Sequence, residues 1–197
     1  MPLPPRIDVK TFNPEIERLL FQVKVIVEEL EGLVDGVSET QFHWSPQPGA
    51  WSIGQCIDHL NVALQQYLII LEPAIANARK SGMLGEGPFV YGFLSRMFLR
   101  MTLPPVKRRM SAPEVFVPGP QKKMETVLTE WKTLHERLNK TLEGASGIDL
   151  KRVKVASPAS SWIKLSLGMS FWILTAHEKR HLWQARNVRN AKGFPAA

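Results

Sequence analysis

The sequence predicts an all-α protein, a four-helix bundle in up-down-down-up order, and three observations carry that prediction. Four stretches repeat apolar residues at three- and four-residue spacing, the signature of helices with one buried face. No stretch alternates strongly enough to demand a sheet. Residues 81 to 119 form a connection of about 40 residues, long enough to return the chain along the bundle and start a helix parallel to the previous one, whereas short loops force antiparallel neighbours. The 197 residues are 44% hydrophobic and 22% charged, ordinary composition for one domain with one core, so a single domain over 1–197 is expected.

Each element has a local justification. Residues 1 to 12 are Pro-rich and read as an extended lead-in. Asn13-Pro14-Glu15 is a helix start, with Asn as N-cap, Pro at the first helical position and an acid in the first turn; Ile16, Leu19, Leu20, Val23, Ile26, Val27 and Leu30 then mark a helix over about 13–35. Phe42 to Gly49 reads as a loop from its Pro and Gly content, with His43 as a surface or packing residue. Ser52 with Gln55 is a capping box, and Trp51 before it is placed to pack on Cys56 as a staple, opening a helix over about 52–79 that contains Pro73 as a possible kink. Within residues 81 to 119, Phe89, Phe93, Leu94, Met97, Phe98 and Met101, with Arg96 and Arg100, predict a short amphipathic helix that packs on the core or overhangs a cleft, a reading preferred to a membrane-surface role. Lys107-Arg108-Arg109 reads as a solvated loop or an anchor for an acidic substrate or partner. Met124, Val127, Leu128, Trp131, Leu134, Leu138 and Leu142 stripe a third helix, about 121–143. Val153-Lys154-Val155 is the one candidate extended piece before a fourth helix, about 168–190.

Several classes are excluded or disfavoured. Cys56 is the only cysteine, so no intramolecular disulfide forms and nothing suggests an oxidising compartment. The N-terminus lacks an apolar signal core and no run approaches the roughly 20 apolar residues of a spanning helix, so a cytoplasmic protein without a membrane partner is expected. The net charge of +7 comes with no recognised nucleic-acid motif; no nucleic-acid partner is expected, and the charge is a weak hint of an acidic substrate.

The chemistry points to His177-Glu178-Lys179-Arg180-His181. Two imidazoles four residues apart on a helix leave the same face about 6 Å apart and can close on one ion. His59, on the inward face of the second helix, supplies the best third nitrogen. It lies about 10 Å from its helix start and His181 about 13 Å from the end of the last helix, so in an antiparallel pair their depths agree. Three histidines leave one position open, as a catalytic rather than a structural site requires. Cys56 shares the face of His59 and is a possible fourth ligand, although a small buried hydrophobe is the plainer reading. Asp58 falls on another face. Gln184, one turn beyond His181, is placed to hydrogen-bond a ligand or substrate. Glu178 points about 100° from the ligand face and reads as a solvated acid, retained only as a supporting candidate. His135 adjoins the stripe of the third helix without a clear link to the site. The pentapeptide also fits His-Glu-x-x-His, but a zincin protease is disfavoured because no Asp, Glu, His or Cys follows His181.

Trp51-Ser52-Ile53-Gly54-Gln55-Cys56-Ile57-Asp58-His59-Leu60, the pair His177 and His181 continuing into Leu182-Trp183-Gln184, and the Pro-rich crossover ending at Pro113 to Pro118 together resemble the DinB-like (DinB/YfiT) metalloenzymes. The resemblance implies an up-down-down-up bundle, a divalent metal on three histidines, a homodimer, and thiol-dependent transferase or isomerase chemistry. Imidazoles suit zinc, nickel, copper and iron alike, with zinc or nickel the first choice. The expected activity is transfer involving a low-molecular-weight thiol cosubstrate and a small-molecule substrate, with Arg96 and Arg100 as candidate substrate-binding groups. The alternatives are a metal-dependent hydrolase, and a non-catalytic binding or stress-response protein stabilised by its metal.

Overall fold

The computed structural model describes residues 12–105 and 113–196. Most of the Pro-rich lead-in and the run Lys107-Arg108-Arg109 lie outside the described residues. In chain order the elements are α1 (Pro14–Val34), α2 (Glu39–His43), α3 (Ile53–Lys80), α4 (Phe93–Thr102), a 3-10 turn (Glu114–Phe116), α5 (Met124–Ala145), β1 (Lys154–Ser157), β2 (Ser160–Ser166) and α6 (Leu167–Arg189). The protein is thus mostly helical, and the four long helices begin and end within three residues of the expected limits.

Local chemistry explains the helix starts. The Asn13 side chain accepts from the Glu15 amide at 2.8 Å, with Pro14 next in line. The Ser52 hydroxyl accepts from the Gln55 amide at 3.1 Å, and the Gln55 side chain accepts from the Ser52 amide at 2.9 Å, so the entry of α3 is fixed from both sides. Helix α3 passes through Pro73 without ending.

Three expectations are corrected. The protein is not all-α: β1 and β2 form an antiparallel hairpin with a register shift at Ala156/Ser157. Val153 and Val155 are buried while Lys154 between them is exposed, the period-two burial of a strand, and packing on α3 and α6 gives the ribbon the support that an isolated hairpin lacks. Phe42 and His43 close a short helix, α2, rather than opening a loop. Ser38 and Gln41 make a second capping box, a start signal unaccompanied by periodicity because the helix has only five residues. Helix α4 forms, but its large apolar side chains face outward (Phe93, Leu94, Met97, Phe98 and Met101 are all exposed), so it does not seal the core with them.

Helix α3 packs on α5 and α6, and α1 packs on the same two. The buried apolar residues divide into two clusters. One takes Ile16, Leu19 and Val23 of α1, Ala63 to Ala78 of α3, Leu138 to Ala145 of α5 and Leu167 to Leu174 of α6. The other takes Ile26 to Leu33, Ile53 to Leu60, Val127 and Trp131, and Leu182 to Val188. Between them α3 carries His59 and Asn61, α5 carries His135, and α6 carries His177, Glu178 and His181. A polar layer therefore crosses the interior at one level and splits the core, and all three candidate ligands lie in it.

Candidate metal centre

His59, the seventh residue of α3, meets the two histidines near the middle of α6. One ligand nitrogen from each of His59, His177 and His181 lies within 4.8 Å of the other two, and the ring centroids are 4.5 to 5.0 Å apart. The Nε2 atoms of His59 and His177 are 3.2 Å apart. Nitrogens held about 2.0–2.1 Å from a tetrahedral ion would be separated by about 3.3 Å, so this spacing suits one small divalent ion.

Hydrogen bonds set the direction of two rings. His59 Nδ1 donates to the Phe116 carbonyl at 2.7 Å, and His181 Nδ1 donates to Gln184 Oε1 at 3.1 Å. Each ring thereby commits its proton outward and turns an Nε2 lone pair toward the common point, the arrangement usual for metal-binding imidazoles. Phe116 is itself buried and stacked on Tyr67, with ring centroids 6.3 Å apart and planes at 10°. The last turn of the crossover is thus fastened to α3 next to the histidine it orients. Trp51 covers the cluster: its ring lies 4.9 Å from that of His59 and stacks at 5.6 Å on His181. The staple position therefore also faces the site.

All three imidazoles are held neutral. Burial pushes His177 down to about 3, helped by the mutual repulsion that charging both it and His59 would bring and by the Arg180 cation. Burial pushes His181 down to about 2, with His177, His59 and Arg180 adding to it. His59 is lowered by burial, partly opposed by its bond to Phe116 and the charge of Asp58. A neutral imidazole is the form that binds metal, and a cation in the middle relieves the repulsion between lone pairs that face one another. The donor set, three imidazoles, fits a divalent transition-metal ion.

The remaining candidates lie as follows. Cys56 is fully buried in the apolar cluster with Ile53, Ile57 and Leu60, outside the three-histidine group, and burial pushes its thiol far up, which favours the protonated form of a packing residue. Asp58 is buried and paired with Lys122 at 2.9 Å. His43 pairs with Glu39 at 3.0 Å. Arg96 and Arg100 are exposed on α4, and among the described residues the cation whose charge reaches the histidines is Arg180.

Glu178 differs most from its expected position. It is wholly buried and faces α5, with Oε1 3.1 Å from Nε2 of His135, which is buried as well. His135 donates through Nδ1 to the Trp131 carbonyl at 2.9 Å and stacks on the Trp131 ring. Both carboxylate oxygens of Glu178, His135 Nε2, Trp131 Nε1 and Asn61 Oδ1 are buried without a well-formed hydrogen bond. In the sequence His135 adjoins the α5 stripe, and Glu178 lies off the ligand face, where it reads as solvated. Neither residue announces the other without the three-dimensional pairing.

The sequence matches the DinB superfamily over residues 23–185, a span that holds all three histidines. Comparison with curated proteins and with solved structures gives no match.

Proposed function

The chain belongs to the DinB superfamily, and from that premise we propose a metal-dependent enzyme in which His59, His177 and His181 hold one divalent ion, zinc or nickel. The observation that carries this reading is the pair of outward Nδ1 bonds, to Phe116 and Gln184, which turn two ring lone pairs inward within 4.8 Å of the third ring's ligand nitrogen. When bound, such an ion supplies Lewis acidity that makes a nucleophile of a thiol or water near neutral pH.

The chain's own residues do the rest. The Phe116 carbonyl and the Gln184 amide hold two rings in one orientation, and Trp51 keeps one side of the cluster dry. Arg180, half-buried on α6, places a positive charge beside the site and favours an anionic substrate over a neutral one. Trp51 also borders an open surface depression lined by Ser45 to Ala50 and Gln55, the route by which a small molecule would approach. Thiol transfer is the first choice. It would need no protein base beside the ligands, and Glu178, the carboxylate next to a ligand in sequence, is turned to His135. Hydrolysis through an activated water is the second reading. We read the four long helices as an up-down-down-up bundle, because α1 and α6 run from the first apolar cluster to the second while α3 and α5 run the other way. A homodimer is carried over from the family resemblance.

Elemental analysis of untagged protein tests the metal. About one ion per chain, lost in His59→Ala and in His177→Ala and kept in Cys56→Ala, is expected. Absence of metal, or metal indifferent to His59, overturns the three-histidine site. Addition of a low-molecular-weight thiol to the cobalt-substituted protein then tests the chemistry: a sulfur-to-cobalt charge-transfer band is expected, and an unchanged spectrum removes the thiol reading while leaving the metal site standing.

A further inference from the structure

Helix α4 is built the wrong way round for a helix that belongs only to this fold. At roughly 100° per residue, Ser95, Leu99 and Thr102 share the arc turned to the protein, where they are half-buried or buried. Phe93, Leu94, Met97, Phe98 and Met101 fill a separate, contiguous arc of about 140° that faces outward; Phe93 is 71% exposed, Leu94 72% and Met101 66%. The larger apolar face is the solvent face. Five large side chains on one arc form a patch, and a patch of this kind marks an interaction surface.

The charges say what covers it. Arg96 and Arg100 fall together on one border of the outward apolar arc, both exposed and without an ion pair among the described residues. From Gly87 to Pro113 the sequence contains no acid, while it contains five of the chain's 25 Lys and Arg. A second copy of this chain is therefore a poor occupant. Two α4 helices meeting about a two-fold axis would bring like charges together with no acid on this helix to separate them. Its ten residues also span only about 15 Å, too little for this helix alone to bury the roughly 800 Å² per partner of a standard stable interface. An anionic lipid surface meets both demands: acyl chains receive Phe, Leu and Met, and headgroups receive two arginines at the border of the apolar arc. The outward packing removes the reason for preferring a core-sealing role.

We propose that α4 is an interfacial anchor that docks this protein reversibly on anionic membranes, with Phe93, Leu94, Met97, Phe98 and Met101 entering the headgroup boundary and Arg96 and Arg100 binding lipid phosphate or carboxylate. No helix among the described residues is long and apolar enough to cross a membrane, so the contact is peripheral. It is independent of the metal site.

The test is co-sedimentation of the full chain with vesicles of phosphatidylcholine containing about one-third phosphatidylserine, and with vesicles of phosphatidylcholine alone, read beside sedimentation velocity without lipid. Wild type is expected to partition onto the anionic vesicles, to do so at least tenfold less on neutral ones, and to be released by high salt. Phe98→Asp should abolish binding. Arg96→Gln with Arg100→Gln should weaken it on the order of thirtyfold. Circular dichroism should show both variants folded, as expected for changes at exposed sites. Absence of binding to anionic vesicles, or binding unchanged in both variants, overturns the proposal. So does a wild-type oligomer that Phe98→Asp dissociates without any vesicle binding, which would assign the face to a second copy.

Discussion

Replacing Glu178 by Ala should destabilise the protein by about 3–5 kcal/mol, because it leaves a buried imidazole without its charged partner. The magnitude follows from the geometry. Glu178 Oε1 and His135 Nε2 are 3.1 Å apart, with side-chain exposures of 0% and 3%, so water does not reach His135 to compensate. His135 Nδ1 is already spent on the Trp131 carbonyl, so Nε2 is the ring atom left facing the carboxylate. Glu178→Gln should cost far less, about 1 kcal/mol, because its amide donates to a neutral Nε2. Glu178→Leu combined with His135→Leu should recover most of the loss, since two apolar side chains of similar volume remove the buried polar atoms together. A chain of 197 residues unfolds with an entropy of about 0.4 kcal/mol per degree, so 3–5 kcal/mol corresponds to a Tm lower by about 7–12 °C. Far-UV circular dichroism of metal-stripped protein, by heat and by urea, reads this directly. A Tm for Glu178→Ala within about 2 °C of wild type, or a double variant less stable than either single replacement, would refute a buried, energetically coupled pair.

Three further outcomes are expected. Gln184→Leu removes the acceptor that holds His181 Nδ1 and should weaken metal binding about 10–100-fold in a competition titration with a chromophoric chelator, with little change in fold; unchanged affinity would show that the ring orients itself. Metal-free protein should lose stability as pH falls below about 6.5. The folded pKa values of His177 and His181 lie near 3 and 2, so between those values and 6.5 only the unfolded chain takes up these protons, with a slope of up to about 1.4 kcal/mol per pH unit per group. A urea midpoint flat from pH 6.5 to 4 would contradict the buried neutral imidazoles. Gly168→Ala should be destabilising, because a Cβ there would overlap the Tyr91 hydroxyl, which donates to Glu15 at 2.6 Å; overpacking of this kind costs about 1–3 kcal/mol, and a wild-type urea midpoint would show that Tyr91 gives way freely.

The long helices were legible because their signals are local. Asn13-Pro14, the Ser52 and Gln55 capping box and the apolar stripes act over three to five residues, and so does the i, i+4 spacing that puts His177 and His181 on one face. Pairing His59 with them needed one further step, an antiparallel match of depths, which follows from helix rise once a topology is assumed. What stayed hidden are interactions between residues far apart in sequence. The Phe116 carbonyl reaches His59 because Phe116 stacks on Tyr67, and nothing in a run of Pro and Gly foretells that contact. Glu178 looked solvated because a helical angle says only that it leaves the ligand face; α5, presenting His135, decides that this direction is interior. The opposite happened on α4, where an apolar stripe of the kind that normally marks a core face points to solvent because Ser95, Leu99 and Thr102 make the contact instead. Periodicity by itself determines which residues share a face. Only the tertiary packing decides what that face meets, since the partner surface is built from side chains that no local spacing specifies.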